Sequence, residues 1–311
     1  SILLPSLPAA SEADTSVSGD HSSCPTRHPP ELVTNDHHSA CCYGNAPPPR
    51  RVVVVGADGR TGREVVRELL TVGVGVRAAV RNPKRAGGLR QQGVEIALLD
   101  VTGSTDDIAS SLKGADGIIC CLGFRPTYIP SEDQRLAQEI DNLGVCRLVD
   151  AAVLTDVPRF VLVSSLLTNA PQDDPSYRAL NMLGGVLDAK HASEVYLAAS
   201  PLAYTIVRPG VFAADAQGEV RLAPEDTITS STGPSARRSL SNPAAPSSCT
   251  SPLAGGSSRG GALCAASRAQ VARVCVSALF QPAACRRTVE MFSVAGGAAL
   301  GDSEMWQLSL R

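Results

Sequence analysis

The chain has no apolar run near the roughly 18 to 20 residues that a membrane-spanning helix needs, because Gly, Arg or Asp interrupts every such stretch. No membrane span is expected, and the protein is read as soluble. An excess of one charge sign is also missing. With 28 Lys and Arg against 30 Asp and Glu the formal net charge is -2, which provides no global basic field for nucleic acid or an anionic surface. A metal-binding spacing is absent as well. Four of the five histidines (His21, His28, His37 and His38) lie near Cys24, Cys41 and Cys42, but no pair shows the short loop of a zinc site, so no metal is expected. Nor do the ten cysteines form a disulfide framework. Cys120 and Cys121 lie in an apolar, strand-like run, and Cys146 and Cys275 in helical patterns, where a thiol serves as a small buried hydrophobe. A reducing compartment follows.

Two regions lack hydrophobic periodicity. Residues 1–49, rich in Ser, Pro, His and Ala and ending in Pro47-Pro48-Pro49, read as a disordered leader. A plastid transit segment is one reading of it, although Glu12, Asp14 and Asp20 make it unusually acidic for that role. Residues 230–266 are rich in Ser, Pro, Gly and Ala without one acidic residue, and read as a disordered low-complexity insertion. What remains, within a chain of 311 residues that is 43% hydrophobic, is enough for one large core. The expected layout is a dinucleotide-binding domain over residues 50–229, continued by residues 267–311.

That domain opens on four valines, Val52 to Val55, followed by Gly56-Ala57-Asp58-Gly59-Arg60-Thr61-Gly62 and an amphipathic helical pattern. A strand, a phosphate loop and a helix start are implied. Gly56 allows the tight turn, Gly59 lets backbone amides approach a pyrophosphate, and Gly62 lets the helix pack against the strand. Strand-like runs then recur at Val74 to Val80, Val94 to Leu99, Asp116 to Gly123, Phe160 to Ser165 and Leu202 to Val207, with helical patterns between them. The long helix expected over Ser131 to Thr155 carries Asp141-Asn142. Order degrades past Val220 and returns as a helix at Ser267 to Phe280, with Ser267 and Gln270 as a capping box, and a strand at Thr288 to Val294. This alternation predicts an α/β fold: a Rossmann-like, doubly wound parallel sheet with helices on both faces. Gly56, Arg81, Asp100, Gly123, Ser164, Ser165 and Pro209 then fall at the C-terminal strand ends, where such sheets bind ligands. Arg81 stands where an NAD-selective fold places an acid for the ribose 2′-hydroxyl. With Lys84 and Arg85 behind it, it suits a 2′-phosphate, so NADP(H) is expected in preference to NAD(H).

Gly-Ala-Asp-Gly-Arg-Thr-Gly, Val80-Arg81-Asn82, Gly123-Phe124-Arg125-Pro126, Val161 to Ser165 and Tyr204 to Gly210 together resemble the atypical short-chain dehydrogenase/reductases. Within that group they are most similar to the NAD(P)-binding, NmrA-like branch of plastids, related to flavin/biliverdin reductases. The resemblance spans about residues 51–229 and 267–294, and implies NADP(H) binding, oxidoreductase ancestry and a chloroplast setting. The cofactor-binding set it implies is Gly56, Ala57, Gly59, Arg60, Thr61, Gly62, Arg81, Asp100, Val101, Cys121, Leu122, Gly123, Lys190 and Pro209.

Short-chain dehydrogenases use Ser, Tyr and Lys, with Tyr four residues before Lys so that both face one way on a helix. Here Lys190 is the lysine, and Val186 stands at the tyrosine position. Tyr177 can substitute only if Gly184-Gly185 breaks the helix between them. Lys190, Ser164 and Ser165 are therefore the catalytic candidates, and water or substrate must supply protons. Two functions follow: an NADPH-dependent reductase of a small carbonyl or planar substrate, or a non-catalytic NADP(H)-sensing scaffold with a protein partner.

Overall fold

The computed structural model describes residues 48–213, 216, 218–225, 265–294 and 300–309. The expected leader lies outside this range apart from its last two residues, as does the expected insertion up to residue 264.

The valine run forms β1 (Arg51–Val55), and helix α1 (Arg60–Thr71) follows the glycine loop. Then come β2 (Gly75–Val80), the short helix α2 (Gly87–Arg90), β3 (Glu95–Leu98), α3 (Thr105–Leu112) and β4 (Gly117–Cys120). After β4 the chain builds α4 (Pro130–Leu136), a π-helical stretch at Ala137–Leu143 and α5 (Gly144–Leu154). Next are β5 (Phe160–Val163), α6 (Pro175–Asn181), α7 (Val186–Ala199), β6 (Tyr204–Pro209) and β7 (Val211–Phe212). The remainder comprises β8 (Glu219–Pro224), β9 (Ala265–Ala266), α8 (Arg268–Ala278), β10 (Arg287–Val294) and α9 (Asp302–Leu308).

Eight strands form one sheet in the order β3-β2-β1-β4-β5-β6-β10-β8. Every pairing in it is parallel except that of β10 with β8. The order reverses between β1 and β4, so the crevice for a ligand opens there, beyond the carboxyl ends of the strands. Alternate valines of β1 enter opposite cores. Val52 and Val54 pack with Val65, Val66 and Leu69 of α1 and Val271, Val274 and Cys275 of α8. Val53 and Val55 pack with Ile108 and Leu112 of α3 and Val145, Leu148 and Val149 of α5. Two covered faces explain why β1 and β4 read as unbroken apolar runs.

Three expectations need correction. Order does not degrade at Val220: Glu219–Pro224 is an antiparallel edge strand, missed because Glu219, Arg221 and Pro224 hide its alternation. The insertion does not extend to 266, because Ala265 and Ala266 pair with Val211 and Phe212 in a small parallel ribbon. The helix expected over Ser131 to Thr155 is not α-helical throughout, since Ala137–Leu143 is π-helical.

The unforeseen α9 belongs to the core. Trp306 is fully buried and its indole N–H donates to Ser277 Oγ at 2.8 Å. Truncating it should leave a large cavity, so Trp306→Ala is expected to lower stability by about 3 to 5 kcal/mol in urea denaturation; an unchanged midpoint would detach α9 from the fold.

Candidate functional site

The glycine loop is closed by its own backbone. Gly56 N–H and Ala57 N–H donate to Ala79 O at 3.2 and 3.4 Å, and Gly59 N–H donates to Gly56 O at 2.9 Å. Gly56 has φ +76, and a Cβ there would lie 3.0 Å from Cys121 O; a Cβ on Gly62 would lie 2.3 Å from Gly56 O. Both positions therefore require glycine. Helix α1 starts from Gly59 with no side-chain cap and no acid in its first turn. Its first amides, which have no partner within the helix, are left for an anion. A pyrophosphate fits this cradle.

The other expected residues gather along the same edge. The bonds to Ala79 set the loop against the end of β2, where Arg81 is exposed. Asn82 accepts from Lys84 N–H and starts a 3-10 turn that carries Lys84 and Arg85. Cys121 and Leu122 are half-buried beside the Gly56 turn, and the Cβ position of Gly123 lies 3.9 Å from Asp141 Oδ1. Asp100 follows β3 as expected, but its carboxylate accepts from Thr102 N–H at 3.0 Å and the Thr102 hydroxyl at 2.8 Å, within its own turn. Val101 is buried against Gly144. Pro209 is buried at the end of β6, and its carbonyl accepts from Leu166 N–H. Ser165 is half-buried, whereas Ser164 is buried with a hydroxyl that has no hydrogen-bond partner.

Lys190 lies on α7, with Val186 one turn before it as the spacing requires. Its ammonium is 2.8 Å from Asp141 Oδ1, and Asp141 Oδ2 accepts from Phe124 N–H at 2.8 Å. Burial pulls the Lys190 pKa down, but the charge and hydrogen bond of Asp141, helped by Cys120 and Glu194, outweigh it and leave the pKa raised. Lys190 is thus a fixed cation. One turn further on, buried Glu194 pairs with buried Arg208 of β6 at 2.7 Å and accepts from the Thr168 hydroxyl. Asp141 and Glu194 were not assigned from the sequence. Only the four-residue spacing of Lys190 and Glu194 was available as a signal, since it puts both on one helix face.

The break foreseen between Tyr177 and Lys190 exists: Gly184 and Gly185 have φ +65 and +68 and separate α6 from α7. It does not free Tyr177 for chemistry. The Tyr177 hydroxyl donates to Asp188 Oδ1 and accepts from Asn181 Nδ2, and burial followed by Asp188 pushes its pKa up to about 12. His191 sits 3.9 Å from Glu194 Oε2, outside hydrogen-bond range.

A family model described as NAD(P)H-binding matches residues 56–244, more than half of the chain. The chain belongs to this NAD(P)H-binding family. Its motifs and sheet make it an atypical short-chain dehydrogenase/reductase of the NmrA-like type. Among relatives of this NAD(P)H-binding protein, an uncharacterised chloroplastic protein of Arabidopsis thaliana is 38% identical over 183 residues, covering 56% of this chain and 64% of that one. The chloroplastic Protein TIC 62 of Pisum sativum is 37% identical over 194 residues, covering 56% of this chain and 36% of that one. The chain therefore spans less than two thirds of either relative. An oxidoreductase of Lactococcus lactis shares the fold, with a TM-score of 0.61 at 20% identity over 84% of this chain and 96% of that one. No helix among the described residues is long and apolar enough to cross a membrane, and no group of three or more His, Cys, Asp and Glu among them is placed to hold a metal.

Two predictions concern the buried charges. Arg208→Met strands Glu194 without its cation and should cost about 3 to 5 kcal/mol in urea denaturation. For pH, Lys190 and Tyr177 both have folded pKa values above their ordinary 10.5 and 10.0, Tyr177 reaching about 12. Their stabilisation is complete below the unfolded pKa and is lost as pH rises through the folded one. The urea midpoint should therefore fall above about pH 10, and by less in Asp141→Asn; a midpoint flat to pH 11 would contradict this.

Proposed function

We propose that the chain is an NADPH-dependent reductase in which Lys190, held by Asp141, positions the cofactor ribose and the hydroxyls of Ser164 and Ser165 meet the acceptor. The observation that carries this reading is the Lys190–Asp141 pair at 2.8 Å, lying against Gly123 and so continuous with the phosphate loop through Cys121. The bound nicotinamide would supply a hydride at this edge. The chain's own residues bind and orient. Arg81, exposed at the end of β2, would take the 2′-phosphate, and the uncapped start of α1 the pyrophosphate.

None of Val186, Tyr177 and Lys190 is set to deliver a proton. Val186 has none, the Tyr177 hydroxyl is tied to Asp188, and Lys190 holds its proton too tightly to act near neutral pH. A general acid works best with a pKa near the working pH. The proposed acceptors are therefore planar conjugated molecules, such as flavins or quinones, that take their proton from water after the hydride arrives. Aldehydes, whose reduction leaves an alkoxide for the enzyme to protonate, should be poor substrates.

Val186 also supports a second reading, an NADP(H)-sensing scaffold that recruits a protein partner without turnover. The chloroplastic relatives support plastid residence in either case.

Stopped-flow absorbance should show NADPH oxidised by a flavin or quinone well above the rate with an aldehyde, and the rate should collapse in Lys190→Ala. Intact NADPH binding without oxidation by any of these would favour the scaffold. In calorimetry, Arg81→Ala should weaken NADPH by about 10- to 100-fold, the scale of a lost charge-assisted contact, and leave NADH nearly unchanged; equal losses would refute the 2′-phosphate assignment.

A further inference from the structure

The segment that leaves β6 and the segment that enters α8 are tied together where the cofactor would bind. Val211 pairs with Ala265 and Phe212 with Ala266, and Ala213 N–H donates to Ala266 O at 3.2 Å. Directly after this ribbon, Ser267 caps α8 in a reciprocal box with Gln270, whose side chain also donates to Gly218 O at 3.1 Å and accepts from the Ser293 hydroxyl at 2.8 Å. These bonds fix the backbone of Arg268, the first residue of α8. Its half-buried guanidinium lies over the Phe212 ring, 4.5 Å from the centroid, and the ring is 37% exposed. Such stacking holds an arginine in one orientation while leaving its N–H groups free to bond.

Helix α8 packs along α1 in the same core cluster. Both helices run away from the C-terminal edge of the sheet, because α1 follows β1 and α8 leads to β10, which is parallel to β6. Arg60 and Arg268 are therefore the first residues of two neighbouring helices at one edge. Burial first, and then the charge of Arg60, lowers the Arg268 pKa, so the two cations lie within electrostatic reach. The first turns of both helices hold no acid. Among the described residues no carboxylate pairs with either arginine. Two guanidinium groups thus lie at one edge with a cradle of uncapped amides and without a counter-charge, and a pyrophosphate would supply one.

We propose that Arg268 is a second ligand for the cofactor pyrophosphate, reaching from α8 to the anion at the start of α1 opposite Arg60, with Phe212 as the platform that aims it. This rests on the NAD(P)H-binding reading. It adds the far side of the chain, beyond the family-matched residues 56–244, to the cofactor site. The pyrophosphate is common to both dinucleotides, so Arg268 strengthens binding without selecting between them, whereas Arg81 selects.

Calorimetry on the full chain with NADPH and with NADH separates the outcomes. Arg268→Gln should weaken both by about 10-fold or more and leave their ratio unchanged. Its affinity should also fall less steeply with salt than that of the unmodified chain. Phe212→Leu, which keeps the ribbon and removes the platform, should weaken both by a smaller factor. Thermal melts guard against a folding defect. Affinities within twofold for Arg268→Gln at an unchanged melting temperature would overturn the inference. So would a loss confined to NADPH, which would put Arg268 on the 2′-phosphate. If the unmodified chain bound neither dinucleotide, the cofactor reading itself would fall; if it bound both and the variants bound them equally well, this inference alone would fall.

Discussion

The candidate site depends on one buried ion pair. Arg208 of β6 and Glu194 of α7, both almost fully buried, meet at 2.7 Å and share Glu194 with the Thr168 hydroxyl. Arg208 also donates to Asn169 Oδ1 at 3.2 Å, so the loop after β5 is tied to the same centre. A pair of this kind gains little net stability over an apolar pair, because both charges have lost water. What it provides is position. With Glu194 pinned to β6, Lys190 one turn earlier is presented to Asp141, and Asp141 in turn holds Phe124 and the loop after β4. Strand, helix and loop are thereby placed relative to one another by three linked contacts.

The same contacts bear on whether a bound cofactor would be turned over. Lys190 is paired with Asp141 and Arg208 with Glu194, whereas the Ser164 hydroxyl has no partner. At the two tyrosine candidates no donor is free: valine occupies the first position of α7, and the Tyr177 hydroxyl closes the junction between α6 and α7 by bonding to Asp188. On the proposed reading, the site would hold a dinucleotide and rely on solvent or acceptor for protons.

Much of this was legible in the sequence, for identifiable reasons. Strands β1, β4 and β5 are buried along nearly their whole length, so they appear as short apolar runs, and the glycine loop shows itself because Gly56 and Gly62 have no room for a side chain. The residues at the strand ends followed from the topology. The pairings of Lys190 with Asp141 and of Arg208 with Glu194 were not legible, because each joins two different elements and leaves no periodic trace. The edge strand Glu219–Pro224 was hidden by its polar residues, of which Glu219 is buried and paired with Arg221. Helix α9 was hidden by its brevity. Arg268 was passed over because its meaning comes from Phe212 and Arg60, which only the fold brings near it.

The π-helical stretch at Ala137–Leu143 gives the site a particular kind of fragility. A π turn holds more residues than an α turn, in which each residue is rotated about 100° from the last. Asp141 lies inside that stretch, between α4, whose buried Asp133 binds the Thr127–Tyr128 backbone, and α5, which is packed into the core. The direction in which its carboxylate faces is therefore a matter of helical phase. Losing a single residue from the stretch would change no side-chain chemistry, yet it would turn one end of the helix against the other and take Asp141 away from Lys190. At this point the length of the chain, counted to one residue, is as much a part of the site as the identity of its carboxylate.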